Sequence, residues 1–552
     1  MFSILRLFVM YVESENFTKA FALLRVYLVP ITLLFYFTIL PASEPDAFEL
    51  EEVTIADLQE GMRTGTYSAR SIVEIYLRRV KEIDQKGPTL RSYLEINPDA
   101  LTIADHLDQE RQEGRIRGPL HGIPVLVKDN IETADKLQTT AGSYALDGVG
   151  GTHDSFVAKN LRKAGAVIIG KANMSEWAYF RSTRASSGWS ARGGQTRNPY
   201  ILTRNPCGSS SGSAVAVAAN LVTVAIGSET DGSITCPASA NSIVGIKPTV
   251  GLISRAGIIP VAPSQDTAGP MARTVSDAAL LLGALTGIDS LDPRTEESRG
   301  KLYSDYTQFL QRDGLRGVRV GIARNYFGYH EQLDALIDRA IGVMKTQGAV
   351  IIDPANVKTA GQFGVAELTV LLYEFKNYFE AYLRKRSSLG PQSIKDLIEF
   401  NKNHRAIEMP YFEQEIFEMA DPIGPLTDPA YKMARQQSYR LAATEGIDAT
   451  LKKYHLDVIV GPTFGPAFLI DLTLGDHIVP PWKSAQWLPS APAVSGYPHI
   501  SVPAGYVSGI PVGISFFGGA FTEPTLIKIA YAFEQATQHR RSPEFVRQDP
   551  IK

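Results

Sequence analysis

Three short segments hold residues whose types and spacing could do chemistry. They are Gly122-Ile-Pro-Val-Leu-Val-Lys128, Cys207-Gly-Ser-Ser-Ser-Gly-Ser213 and Gly227-Ser-Glu-Thr-Asp-Gly-Ser233. A lysine that closes an aliphatic run must hold its amine in or beside an apolar environment, which disfavours the charged form. Bringing its pKa from about 10.4 to near 7 takes roughly 4 to 5 kcal/mol, within the range of buried lysines. A neutral lysine is a usable general base. Taken alone, a strand-end lysine that snorkels to water is the commoner outcome.

The serine run in isolation reads as a flexible polar loop. It leads directly into Ser213 to Asn220, an Ala and Val-rich stretch that reads as a helix, so its hydroxyls and N–H groups sit at a helix N-terminus. The third segment is a glycine-containing turn that can point successive backbone N–H groups at one spot, as an oxyanion hole requires. Gly208-Ser-Ser-Ser-Gly212 also fits Gly-x-Ser-x-Gly with Ser210 as nucleophile. That elbow needs a strand before it; Thr203 to Cys207 is a poor strand, and no Asp and His pair stands out downstream. Ser210 reads instead as a support for the loop.

The elements that must position these residues alternate. Residues 54 to 85 predict one helix, from the 3.6-residue repeat of Ile72, Val73, Tyr76, Leu77, Val80 and Ile83, and Gly87-Pro88 stops it. Buried strands are expected at 122 to 128, 166 to 169, 222 to 226, 318 to 322, 456 to 460, 500 to 502 and 512 to 517, with a helix from an Asp154 cap through Lys163 ended by Gly165. Such alternation implies an α/β layered fold in one large domain over residues 44 to 552. Residues 365 to 450 read as a helical excursion that walls a substrate pocket. Asp129, Asn130 and Asp266, beside turns, read as caps of backbone N–H groups. Trp177 and Trp189 read as core or interface filling, with an acyl-pocket role as the alternative.

In their order and composition the three segments resemble the amidase signature hydrolases. The likeness continues through Gly245-Ile-Lys-Pro-Thr249 and Asp266-Thr-Ala-Gly-Pro-Met271, so its dense part spans about residues 115 to 275. The resemblance implies a single α/β domain with a central twisted mixed β-sheet covered by helices on both faces. It places the family's catalytic lysine on Lys128, its bridging serine on a cis peptide at Ser209, and its nucleophile on Ser233. Backbone N–H groups of Thr230, Asp231, Gly232 and Ser233 would form the oxyanion hole. The implied reaction is hydrolysis of a carboxamide through an acyl-enzyme with no cofactor and no metal. Ser175-Glu-Trp-Ala178, Ser187 to Asn198 and Asn205-Pro-Cys-Gly208 look like peptide amidases, which remove the C-terminal amide of peptides. Fatty-acid or aryl amide hydrolases, and the glutaminase-type subunit of a tRNA amidotransferase, share the same core and stay open as alternatives.

Composition bounds the rest. Apolar residues at 44% and charged residues at 20% exclude a disordered or multi-span membrane chain, and a net charge of −3 without a basic run gives no footprint for nucleic acid. The 9 histidines lack metal-ligand spacing, and His121, His153 and His499 read as packing residues. Cys207 and Cys236 are the only cysteines; they read as free thiols that pair if the compartment is oxidising. Val26 to Leu40 is an uncharged apolar run after Lys19 and Arg25, followed by Pro41-Ala42-Ser43, which predicts an N-terminal leader over residues 1 to 43. Export is the expectation, with an uncleaved membrane anchor as the alternative; no protein partner can be named.

Overall fold

The computed structural model describes residues 48–149, 151, 153–386, 390–478 and 487–547. The leader expected over residues 1 to 43 lies outside them. Among the described residues no helix is long and apolar enough to cross a membrane. The chain groups into two units, Met1–Glu51 and Glu52–Lys552. In the first, the described residues form a turn in which the Glu51 N–H donates to the Phe48 carbonyl at 2.9 Å.

The second unit is built on a mixed sheet of 11 strands. In chain order the strands of this unit are β1 Tyr93–Ile96, β2 Pro124–Lys128, β3 Val167–Ala172, β4 Trp189–Ser190, β5 Gly194–Gln195, β6 Val224–Glu229, β7 Val244–Lys247, β8 Thr267–Ala272, β9 Arg319–Ile322, β10 Val350–Ile352, β11 Val458–Pro462, β12 His499–Val507 and β13 Ile510–Phe517. β4 and β5 form a separate ribbon, and the sheet runs β1-β3-β2-β6-β8-β7-β12-β13-β11-β9-β10. β3, β2 and β6 are parallel; β8, β7, β12 and β13 continue antiparallel, and β11, β9 and β10 are again parallel. Every residue of β2, β3, β6 and β8 is buried, so both faces of the sheet are covered.

The expected strands are present, and β1, β7, β8 and β10 join them. The single helix expected from 54 to 85 is instead two, Ile55–Thr64 and Ala69–Arg79, the second running on as a π turn to Asp84. Gly65, at φ 79°, ends the first, and Thr54 and Ser68 each start a helix with a reciprocal capping box. The helix Phe156–Lys163 is capped by Ser155, whose hydroxyl accepts from the Ala158 N–H, rather than by Asp154. Asp154 is drawn away because its carboxylate pairs with Arg162 and accepts from the Ala134 N–H. The described residues from Gly364 to Tyr454 are mostly helical, with a buried core of Phe375, Phe379, Phe417 and Leu397 that also takes in Trp177. Trp177 meets Phe379 edge-on at 5.4 Å and Trp189 meets Phe412 at 5.0 Å between ring centres, so both tryptophans fill hydrophobic clusters.

Candidate active site

Lys128 ends β2 and is fully buried. Its Nζ hydrogen-bonds Ser209 Oγ at 2.7 Å, Ser228 Oγ at 2.9 Å and the Ser228 carbonyl at 3.0 Å. Burial pulls its pKa down to about 7, against the charges of Glu229 and Asp266, which hold it up. A neutral amine has two hydrogens and one lone pair. The Ser228 carbonyl and hydroxyl can take the hydrogens, which leaves the lone pair for the Ser209 hydroxyl proton. Ser228 is itself fixed: Asn130 Nδ2 donates to its Oγ at 2.9 Å, and its N–H donates to Ser210 Oγ at 3.2 Å.

Ser209 sits on the loop before the helix Ser211–Ala218, and the Gly208–Ser209 peptide is cis. Its carbonyl accepts from the Ser175 N–H at 3.1 Å. Around it the other serines of the run tie the loop down. Ser210 Oγ donates to the Ser228 carbonyl at 3.0 Å and Ser211 Oγ to the Cys207 carbonyl at 2.6 Å. A side chain on Gly208 would collide with the Ser175 hydroxyl, which accounts for the glycine there. No strand of the sheet leads into this loop, so Ser210 is not the nucleophile of a strand-turn-helix elbow.

Ser233 lies in the turn that follows β6, 8% exposed. Its carbonyl accepts from the Ser210 N–H at 3.1 Å, which brings the two serine segments together through the backbone. Its hydroxyl makes no hydrogen bond to any described residue, so the structure joins Lys128 to Ser209 directly and Ser233 to them only through main chain. The N–H groups of Thr230, Asp231, Gly232 and Ser233 donate to nothing among the described residues. What holds this turn is Glu229, whose Oε2 accepts from the N–H groups of Ile234 at 2.7 Å and Thr235 at 3.0 Å. Open donors on a fixed turn suit an anionic oxygen.

Cys207 and Cys236 are bonded to each other, with Cα atoms 6.0 Å apart, which corrects the expectation of free thiols. The two segments cross closely enough that the bridge spans them, tying the Ser209 loop to the helix Thr235–Ala240 that follows Ser233. Asp129 and Asp266 cap backbone as expected: Asp129 accepts from the N–H groups of Thr140 and Gly142, Asp266 from those of Val261 and Ala262. Asn130 departs from that reading by contacting Ser228. His121 and His499 are packing residues, bonded to the Leu107 carbonyl and the Ser515 hydroxyl.

A cavity of about 1050 Å³ opens on this centre, lined in part by Asn130, Ser209, Ser228, Thr230 and, from the helical segment, Tyr378 and Tyr382. Ser233 is not among its lining residues. His153, taken as a packing residue, lies on the cavity wall. Among the described residues no cluster of three or more His, Cys, Asp or Glu side chains is placed to hold a metal ion. Sequence reasoning missed Ser228 and read Asn130 only as a cap. The signal was there for Ser228: it stands two residues after Ile226 on a buried strand, where a hydroxyl needs a polar partner.

The Amidase family model matches residues 71–527 of the chain. A probable amidase of Arabidopsis thaliana is 42% identical over 508 residues, covering 90% of this chain and 93% of that protein. The crystal structure of native peptide amidase from Stenotrophomonas maltophilia superposes with a TM-score of 0.86 at 48% identity, covering 90% of this chain and 100% of that one. A glutamyl-tRNA(Gln) amidotransferase subunit of Pseudomonas syringae pv. tomato is 32% identical over 507 residues, covering 90% of this chain and 100% of that protein.

Proposed function

The chain belongs to the amidase signature family of amide hydrolases, and on that premise we propose that it releases ammonia from C-terminal peptide amides, with Ser233 as nucleophile and Ser209 and Lys128 as its proton relay. The observation that carries the reading is the 2.7 Å contact between Ser209 Oγ and a fully buried Lys128 whose amine is poised to lose its proton near neutral pH. Ser233 Oγ attacks the carboxamide carbon as its proton passes to Ser209 and the Ser209 proton to neutral Lys128. The carbonyl oxygen takes up the negative charge and is bound by the open N–H groups of residues 230 to 233, a contact worth about 3 to 4 kcal/mol per donor. Collapse of the tetrahedral intermediate breaks the C–N bond, and the relay returns a proton to the departing amine as ammonia. Water then attacks the Ser233 ester by the same relay in reverse, restoring the enzyme. Every proton is accounted for within the chain and the two substrates.

Peptide amides are favoured over simple amides for two reasons. The solved neighbour at 48% identity is a peptide amidase. The cavity of about 1050 Å³ lies at the top of the usual range for small-molecule sites, which leaves room for an acyl side several residues long. The Cys207–Cys236 bridge and the apolar run Val26 to Leu40 support export to an oxidising compartment.

The test is ammonia release from an amidated dipeptide, a simple aryl amide and a fatty amide, with wild type and Ser233→Ala side by side. Preference for the peptide, lost in the variant, is the expected outcome. Preference for another amide moves the substrate and keeps the mechanism. Silence on all three, with release from free glutamine only when the remaining components of an amidotransferase complex are supplied, replaces this reading with that of an amidotransferase component.

A further inference from the structure

Position 231 of the turn that carries Ser233 holds a carboxylate, and this carboxylate is the meeting point of three separate segments. Trp487 Nε1 donates to Asp231 Oδ1 at 3.0 Å, and the Ser490 hydroxyl donates to Oδ2. Glu367, on the helix Gly364–Glu374 of the helical segment, lies within hydrogen-bonding reach of Asp231. Two carboxyl groups can share a hydrogen bond only if one is protonated. Burial raises both carboxyls; the Asp231 charge pushes Glu367 up further, well above the usual carboxyl range, whereas hydrogen bonds from Ser490, Trp487 and Glu367 work against the rise at Asp231. The proton therefore belongs to Glu367.

The same glutamate reaches the neighbouring residue by a second route. Gln265 Nε2 donates to Glu367 Oε1 at 3.1 Å and to the Thr230 carbonyl at 3.2 Å. The ring of Trp487 lies over Gly232 so closely that a Cβ there would strike it. Thr230, Asp231 and Gly232 are thus each held from outside the turn by a contact that involves Glu367 or Trp487; Thr230 is also held through its hydroxyl, which donates to Asp266 Oδ1 at 2.6 Å.

We propose that Glu367, acting through Asp231 and Gln265, is a positioning residue that fixes the 230 to 232 backbone so that its open N–H groups face the developing oxyanion. It touches no reacting atom. The device also makes the helical segment more than a pocket wall, because the geometry of the oxyanion turn then depends on how Gly364–Glu374 is seated. The inference rests on the assignment of residues 230 to 233 as oxyanion donors given above.

The experiment measures kcat and KM for an amidated dipeptide in Glu367→Gln, Glu367→Ala, Trp487→Phe and Ser233→Ala, with thermal unfolding of each. Misplacing donors by a fraction of an ångström costs turnover rather than ground-state binding. Glu367→Ala is therefore expected to lose about ten- to a hundredfold in kcat with KM within about twofold. Glu367→Gln keeps an N–H for Asp231 and a carbonyl for Gln265, and is expected to recover kcat to within about threefold of wild type. Trp487→Phe removes both the N–H donor to Asp231 and the part of the indole that lies against Gly232, so it tests the clamp if Glu367→Ala fails to fold; a kcat drop of about three- to tenfold is expected. Unchanged kcat in folded Glu367→Ala or in Trp487→Phe overturns the proposal, as does an equal loss in Glu367→Gln, or a loss confined to KM. Full activity in Ser233→Ala overturns instead the mechanism beneath it.

Discussion

Two lysines end on neighbouring strands of the same sheet, both fully buried, and they differ in what lies at the amine. Lys128 on β2 and Lys171 on β3 are each pulled down by burial, to about 7 and about 8. Lys171 Nζ donates to the Ile131 carbonyl at 2.5 Å and to Thr139 Oγ1 at 2.7 Å, and neither it nor Thr139 lines the large cavity. Lys128 reaches Ser209, which does. Burial makes an amine ready to be neutral; a hydroxyl that opens on the substrate cavity makes that readiness useful. A perturbed pKa alone would have nominated both.

The largest expected effect sharpens this difference. Lys128→Ala is expected to lower ammonia release by about a thousandfold or more at pH 8, the general base having gone. Lys171→Met is expected to stay within about threefold of wild type; equal losses would show that burial, not connection to Ser209, is what counts. Next comes Ser209→Ala, expected to cost about a hundred- to ten-thousandfold in kcat by cutting the relay while leaving Lys128 buried. Steady-state kinetics on the amidated dipeptide separates this from a binding defect.

Stability should move the opposite way. Lys128 has a folded pKa of about 7 against 10.5 in a solvated chain, so its ammonium destabilises the fold fully below pH 7, and the cost fades as pH rises toward 10.5. The gross cost is about 5 kcal/mol, offset in part by the contacts with Ser228. Lys128→Met is therefore expected to unfold at a higher temperature than wild type at pH 6, with the gap closing above pH 7. A gap that widens with pH would contradict the buried-amine account. The smallest effect concerns the Cys207–Cys236 bridge: a Cys207→Ala and Cys236→Ala double variant is expected to lose about 2 to 4 kcal/mol of stability in denaturant unfolding.

The same contrast shows how much could be read from the chain. β2 and β3 were legible because short aliphatic runs suit buried strands, and the lysine that closes the first then demanded an explanation. β8 was not, because Thr-Ala-Gly-Pro-Met-Ala holds a glycine and a proline that argue against a central strand. Pro270 is tolerated since β7 pairs with β8 only at Met271 and Ala272, beyond it. The break between the first two helices was marked by Gly65 and the Ser68 cap, yet the hydrophobic repeat ran through both. Within the site, Lys128, Ser209 and the 230 to 233 turn were legible as motif; the parts played by Ser228, the Asp231 carboxylate and Glu367 were not. Asn130 lies 98 residues from Ser228, Trp487 256 from Asp231 and Gln265 102 from Glu367, and long-range polar pairing leaves no local pattern. Glu367 did carry one signal of the kind that exposed Lys128: a single carboxylate among Val365, Ala366 and Leu368 on a helix.

The measurement that tests the central claim most directly is the pH dependence of kcat/KM for ammonia release from the amidated dipeptide, in wild type and in Lys171→Met. The ammonium form of Lys128 cannot accept the Ser209 proton, so activity in both proteins should rise with pH through an apparent pKa near 7 and level off above it. Full activity at pH 5, or a limb near 8 that vanishes in Lys171→Met, would contradict the assignment of Lys128 as the base.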